Sequence, residues 1–87
     1  DPVTVVIHER VKPAAMSEFV EHVYKLATVA KRFRGFMGCS LIKPSGKASK
    51  GEATVILKFA TYEQLHDFLA SEQRRRWLVR MRQLVEE

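Results

Sequence analysis

Hydrophobic and polar residues alternate along two segments of the chain, residues 3–11 and 52–60, which is the period-2 pattern of half-buried β-strands. In residues 3–11, valine and isoleucine at odd positions mark one face, and residues 36–43 are predicted as a further strand. Pro13 has no amide hydrogen to donate and ends the first segment. Residues 44–51 form a polar connector punctuated by Pro and Gly, typical of a long hairpin loop.

Helical spacing fills the remaining segments. Apolar residues recur every three or four positions in residues 15–32 and form one stripe, with His22 predicted at its flank. Thr61 and Gln64 match a capping box that begins a short helix, and Ser71 is placed to cap a last helix. The order strand, helix, strand, strand, helix, helix predicts a ferredoxin-like split βαβ arrangement, an α+β fold with an antiparallel sheet. Its final strand is expected to lie beyond this chain or to come from a partner.

Length and composition predict one domain, residues 1–87. Hydrophobic residues make up 46% and charged residues 29%, as in globular proteins rather than disordered ones. No apolar run approaches the roughly 20 residues of a membrane span, and residues 1–20 lack the pattern of a secretory signal. A cytoplasmic protein is therefore expected. The opening Asp1-Pro2, without Met, also fits removal of a leader or flanking segment.

The net charge is +5, and five of the basic residues lie together near the C-terminus, on the last predicted helix: Arg74, Arg75, Arg76, Arg80 and Arg82. Such a cluster suits either an anion-binding patch or the solvated face of an amphipathic helix. Three consecutive arginines on a helix point in directions about 100° apart, which favours the solvated face.

Nucleic-acid binding is not expected. The segment 34–38, Arg-Gly-Phe-Met-Gly, is similar to the aromatic motif of RNA-recognition modules, which share this fold plan. It falls between the first helix and the second strand, however, and further aromatic residues that would stack bases are missing.

One face of the predicted sheet has no helices to cover it. Its apolar centre and polar rim, the composition of an interface, comprise Val6, His8, Arg10, Ile56 and Lys58. We expect a homodimer through this face, since so small a domain gains stability from association. The alternative is a monomer with one solvated sheet face.

Short motifs across nearly the whole chain resemble those of one known family. They are Val11-Lys12-Pro13, the segment 32–38 (Arg-Phe-Arg-Gly-Phe-Met-Gly), Phe59-Ala60-Thr61, Ser71-Glu72 and Trp77-Leu78. The resemblance is to the antibiotic biosynthesis monooxygenase (ABM) domain. It implies a dimeric α+β barrel, in which two sheets pack face to face and each subunit has a cleft between sheet and helices. Members include cofactor-free oxygenases acting on polycyclic aromatics, quinol oxygenases and haem-degrading enzymes.

The resemblance argues against haem. Haem-degrading members carry an Asn, a Trp and a haem-ligating His where this chain has Ile7, Phe59 and Phe68. A haem ligand of that kind needs a ring nitrogen, which phenylalanine lacks. We therefore expect no cofactor. The one cysteine and three separately placed histidines also give no metal-binding spacing.

The cleft implied by the resemblance has a predicted apolar lining suited to a planar apolar ligand: Ile7, Phe19, Val23, Phe59, Phe68 and Trp77. The same side chains could equally fill a small core. His66 lies on the helix that borders this cleft and is the candidate catalytic base for a phenol, with an ordinary surface histidine as the alternative.

Two functions remain open at this point. The first is a cofactor-independent monooxygenase acting on a planar aromatic or quinol substrate. The second is a non-catalytic dimerisation or ligand-sensing module of a larger protein. An accessible cleft that contains His66 or a tyrosine would favour the enzyme, and a cleft filled by side chains would favour the module.

Overall fold

A computed structural model describes residues 1–45 and 51–86, and it contains all three predicted strands and all three predicted helices. They are β1 (Val3–Arg10), α1 (Met16–Ala30), β2 (Phe36–Ile42), β3 (Glu52–Phe59), α2 (Tyr62–Leu69) and α3 (Glu72–Leu84), with one 3₁₀ turn at Pro13–Ala15 before α1. Their ends differ from the predicted ones by one or two residues. The predicted loop at 44–51 lies partly outside the described residues. No described helix is long and apolar enough to cross a membrane.

The strands form one antiparallel sheet in the order β1-β3-β2, which confirms the predicted α+β, ferredoxin-like arrangement. In the register, Leu57 of the central strand lies between Val5 and Cys39. At the outer edge of β1, Val85 forms a single antiparallel bridge with Val11. This bridge stands where the fold would place its fourth strand.

The helices cover one face of the sheet, and the alternation in the strands decides which face. Odd-numbered residues of β1 and β3 point toward the helices, as the pattern predicts. Among the residues that the structure describes, thirteen buried apolar side chains form the core between sheet and helices, and the largest fully buried ones are Phe19, Phe59 and Phe68. Burial of each such side chain contributes about 1.5–3 kcal/mol.

Side-chain caps begin two of the helices. Thr61 Oγ1 accepts a hydrogen bond from the Gln64 amide at 3.2 Å, and Ser71 Oγ accepts one from the Arg74 amide at 3.1 Å. Each satisfies an amide that the helix itself leaves without a partner. The two caps place α3 directly after α2, with only Ala70 and Ser71 between them.

The contact between α1 and α3 overturns one expectation. His22 was expected at the flank of α1, but only 8% of it is exposed, and its ring stacks on the Trp77 indole with 4.7 Å between centroids. The Trp77 Nε1–H donates to the His22 carbonyl at 2.5 Å, and His22 Nε2 donates to the Trp77 carbonyl at 2.8 Å. Because both ring N–H groups have partners, the two polar rings can be buried without a large penalty.

Candidate functional site

A cavity of about 280 Å³ lies between the helix-facing side of the sheet and α3. Its walls are mostly apolar and come from β1, β3 and all three helices. The lining residues are Ile7, Glu9, Leu26, Val55, Leu57, Phe68, Leu69, Arg74, Trp77, Leu78, Met81 and Arg82. Its volume lies just below the roughly 300 Å³ at which small-molecule pockets usually begin, so it suits a small ligand.

Local periodicity explains which side chains reach this cavity. Arg74, Trp77, Leu78, Met81 and Arg82 are separated by three- and four-residue steps, which puts them on one face of α3. The sheet contributes alternate residues of β1 and β3, which all project from its helix-facing side.

Three residues of the predicted cleft line the cavity, and three do not. Ile7, Phe68 and Trp77 are part of its wall. Phe19, Val23 and Phe59 lie outside the lining and are fully buried in the packed core, as follows from the helix and strand positions that they occupy. The cavity therefore lies within the layer between sheet and helices, in the part of that layer next to α3.

The Trp77 ring forms part of the cavity wall and is held in a fixed orientation. The stack on His22 and the indole hydrogen bond to the His22 carbonyl hold it from the α1 side. Trp77 also lines the cavity. A planar ligand would thus meet an aromatic side chain whose orientation is set before binding, which lowers the entropic cost of association.

The titratable side chains in the lining are Glu9, Arg74 and Arg82. None of them takes part in an ion pair among the residues that the structure describes. Arg74 Nη1 makes one long hydrogen bond, 3.4 Å, to the Leu69 carbonyl. The sequence analysis missed Glu9 as a site residue. The available signal was a carboxylate at an odd position of β1, on the face that the pattern assigns to the interior.

His66 lies on the exposed side of α2 and outside the cavity lining. Its nearest aromatic neighbour is Tyr62, at 6.4 Å between ring centroids, and Tyr62 is itself exposed. Neither a histidine nor a tyrosine is among the lining residues. The catalytic role of His66 stays a prediction, and Glu9 is the carboxylate that the cavity itself offers.

Two other chemical features lie away from the cavity. Burial raises the pKa of the Cys39 thiol above its usual value, so the neutral thiol predominates at pH 7. Within residues 1–45 and 51–86, no group of three or more His, Cys, Asp or Glu side chains is arranged to hold a metal ion.

The sheet face opposite the helices carries all five residues predicted for a dimer face: Val6, His8, Arg10, Ile56 and Lys58. Val6 lies directly opposite Ile56, and His8 Nδ1 is hydrogen-bonded to Thr54 Oγ1 at 3.0 Å. Ile42, which pairs with Thr54 from the other side, adds a further exposed apolar side chain that the sequence analysis did not include.

Comparison with known proteins identifies the fold. No family model matches the chain, and no curated protein matches it by sequence. Among solved structures, SnoaB from Streptomyces nogalater, a cofactor-independent oxygenase, has a TM-score of 0.85 at 21% identity, covering 99% of this chain and 85% of SnoaB. A protein from Nitrosomonas europaea provisionally assigned as an antibiotic biosynthesis monooxygenase has a TM-score of 0.81 at 15% identity, covering 99% and 80%. This chain has the ABM fold.

Another similar structure extends this fold beyond proteins that are named as oxygenases. A conserved protein from Methanosarcina mazei Go1 has a TM-score of 0.85 at 14% identity, covering 99% of this chain and 83% of that protein. At such identities the similarity establishes the ABM fold alone, so the chemistry has to be argued from the residues of this cavity.

Proposed function

We propose that this chain is a cofactor-independent monooxygenase whose cavity binds a planar aromatic or quinol substrate. The observation that carries the proposal is a cavity of about 280 Å³ that combines an aromatic wall with a carboxylate. SnoaB, which has the same fold, is a cofactor-independent oxygenase, and this supports the same reaction class here.

The chemistry requires a substrate that supplies its own electrons. For a phenolic substrate RH₂, the balanced reaction is RH₂ + O₂ → RO + H₂O, in which one oxygen atom enters the product and the substrate provides all four electrons. Removal of the phenolic proton makes the ring electron-rich enough to give an electron to dioxygen. The protein has to hold the ring, exclude water and accept that proton.

Residues that line the cavity suit these tasks. Trp77 offers flat aromatic surface to the ring, Ile7 closes the wall on the sheet side, and the buried Phe68 lies behind the wall. Glu9 lines the same space from β1 and would accept the phenolic proton. His66 would have to act from the outer side of α2. Substituting Glu9 and His66 one at a time therefore shows which of them is the base.

Oxygen consumption tests the proposal. The protein is mixed with anthrones and naphthoquinols in an oxygen electrode, and Glu9→Gln is compared with His66→Gln. We expect substrate-dependent uptake that falls about 100-fold in Glu9→Gln, the usual contribution of a general base. Glu21→Gln, which removes an exposed carboxylate of α1, is the matched control. A 100-fold loss in His66→Gln with full activity in Glu9→Gln would reassign the base.

The absence of histidine and tyrosine from the lining favours one alternative, a ligand-sensing module without catalysis. Trp77 is the only tryptophan, so its indole N–H gives a single NMR signal that reports on the cavity. A ligand that shifts this signal without any oxygen uptake would support the module over the enzyme.

The proposal also includes a homodimer in the cytoplasm, formed through the open sheet face. Val6 on that face and Val79 on α3 are equally exposed, at 52% and 53%. We therefore expect Val6→Asp to lower the sedimentation coefficient to that of a monomer, because it buries a charge in the interface, while Val79→Asp leaves it unchanged. Equal sedimentation coefficients for both variants and the parent would contradict this interface. Cell fractionation tests the cytoplasmic location.

A further inference from the structure

The arginines of α3 fall into two groups. Three of them form ion pairs and do not line the cavity: Arg75 and Arg76 with Glu72, and Arg80 with Glu18. Arg74 and Arg82 line the cavity and take part in no ion pair of the described residues. The first group matches the solvated helix face that the sequence predicts. In the second group Arg82 is exposed and Arg74 is half-buried, so it is Arg74 that calls for a different explanation.

The two lining arginines occupy opposite ends of the cavity. The Lys12 amide donates to the Leu84 carbonyl at 2.9 Å, so the C-terminal ends of β1 and α3 meet there. Glu9 and Arg82 lie two or three residues before this contact and therefore share that end. Arg74 lies eight residues earlier on α3, about 12 Å away along the helix axis, at the end next to Leu69.

The cavity is therefore electrically polarised. At one end Glu9 is half-buried whereas Arg82 is exposed, so the carboxylate is the less screened of these two charges. At the other end Arg74 is half-buried, and the lining there includes no carboxylate. Trp77, Leu78 and Met81 form an apolar stretch between the ends. A charge that is partly removed from water attracts an opposite charge more strongly than an exposed one.

We propose that the ligand of this cavity is a planar aromatic molecule bearing a carboxylate group, and that Arg74 binds this carboxylate. This rests on the proposed function, because it presumes that the cavity is the ligand site. The planar fork of a guanidinium binds a carboxylate through two parallel hydrogen bonds. Glu9 repels the same carboxylate at the other end, so the two charges fix one orientation, with the reacting hydroxyl directed to Glu9.

Two probes of nearly equal shape test this inference. 2-Naphthoate carries a carboxylate, and 2-acetonaphthone replaces it with a neutral acetyl group. Each is titrated into ¹⁵N-labelled protein at low salt, and the dissociation constant is read from the Trp77 indole signal. We expect 2-naphthoate to bind about tenfold more tightly, as one charge-assisted hydrogen-bonded pair would produce.

Arginine variants show which side chain binds the carboxylate of 2-naphthoate. Arg74→Gln should weaken 2-naphthoate binding about tenfold and leave 2-acetonaphthone unchanged, and Arg82→Gln should have a smaller effect. Arg76→Gln, an exposed α3 arginine outside the lining, is the matched control and should change neither constant. Equal affinities for the two probes, or an unaltered 2-naphthoate constant in Arg74→Gln, would overturn the carboxylate inference and leave the cavity as a ligand site. If neither probe moved the Trp77 signal, both the inference and the ligand site would fail.

Discussion

The layer between sheet and helices has two halves of different character. Around Phe19, Val23 and Phe59 it is packed with apolar side chains, and Phe59 stacks on Phe68, at the border of the cavity, with 5.5 Å between ring centroids. Below α3 the same sheet faces a cavity of about 280 Å³. The two halves share the strands β1 and β3, so the difference originates in the helices and in one residue of β1.

Sequence composition explains this difference. The buried face of α1 presents Phe19 and Val23, which fill the space over the sheet, and Leu26, which borders the cavity. The cavity-lining face of α3 includes Arg74 at one end of the cavity and Arg82 at the other end, which it shares with Glu9 of β1. Charged side chains are not buried in an apolar core without partners, so these three keep contact with water and the layer stays open. The cavity thus follows from charge placed at inward positions.

Truncating one leucine in each half should show the difference in packing between the two halves most clearly. Leu65 of α2 is buried in the packed half, whereas Leu78 of α3 is half-buried and already borders empty space. We expect Leu65→Ala to lower the free energy of unfolding by about 2–5 kcal/mol and Leu78→Ala by about 1 kcal/mol. Urea denaturation measures both. Equal losses would mean that the α3 half is packed as tightly as the rest.

Enlarged side chains give the opposite test. Val23→Phe adds volume where there is no space, and we expect it to lower the free energy of unfolding by about 1–3 kcal/mol. Ile7→Phe adds volume at the cavity wall, so it should cost less than about 1 kcal/mol while blocking ligand binding. Thermal denaturation and the Trp77 indole titration provide the two readouts. A Val23→Phe protein as stable as the parent would contradict the packed half.

The Trp77 side chain contacts both halves. Removing its indole N–H tests whether the hydrogen bond to α1 also supports ligand binding in the cavity. Trp77→Phe keeps a ring against His22 but deletes the hydrogen bond to the His22 carbonyl. We expect a loss of about 1 kcal/mol in the free energy of unfolding by urea denaturation, together with weaker 2-naphthoate binding by isothermal titration calorimetry, because the aromatic wall is less firmly oriented. Tyr24→Phe, at an exposed site on α1, is the control for a lost polar group. Unchanged ligand affinity would mean that the ring orientation does not matter.

The fold could be predicted from sequence because its signals are local. Alternation identified the strands and their inner face, helical spacing identified the helices, and Thr61 and Ser71 marked two helix starts. The site was predicted only in part. His22 and Trp77 are 55 residues apart, and only the crossing of α1 and α3 brings them together. Apolar periodicity likewise could not distinguish Phe68, at the cavity wall, from Phe19 in the packed core.

The smallest expected effect concerns the ion pair that connects the two halves from outside. Arg80 of α3 is hydrogen-bonded to Glu18 of α1, and it holds the pKa of that carboxyl below the usual 4.5. A carboxyl with a lowered folded-state pKa stabilises the protein above its unfolded-state pKa, and this contribution is lost as the pH falls through the folded-state value.

Both side chains of this pair are about half exposed, so its contribution is modest and screened by salt. We expect Arg80→Gln to lower the melting temperature slightly at neutral pH and low ionic strength, with the difference from the parent disappearing as the pH falls through the folded-state pKa of Glu18. Arg32→Gln, which removes an exposed arginine outside the ion pairs of the described residues, should show no such pH dependence. A difference that persisted at acid pH would mean that Arg80 stabilises the α1–α3 contact by packing rather than by charge, and the two halves would then be joined by the His22–Trp77 contact and apolar surface alone.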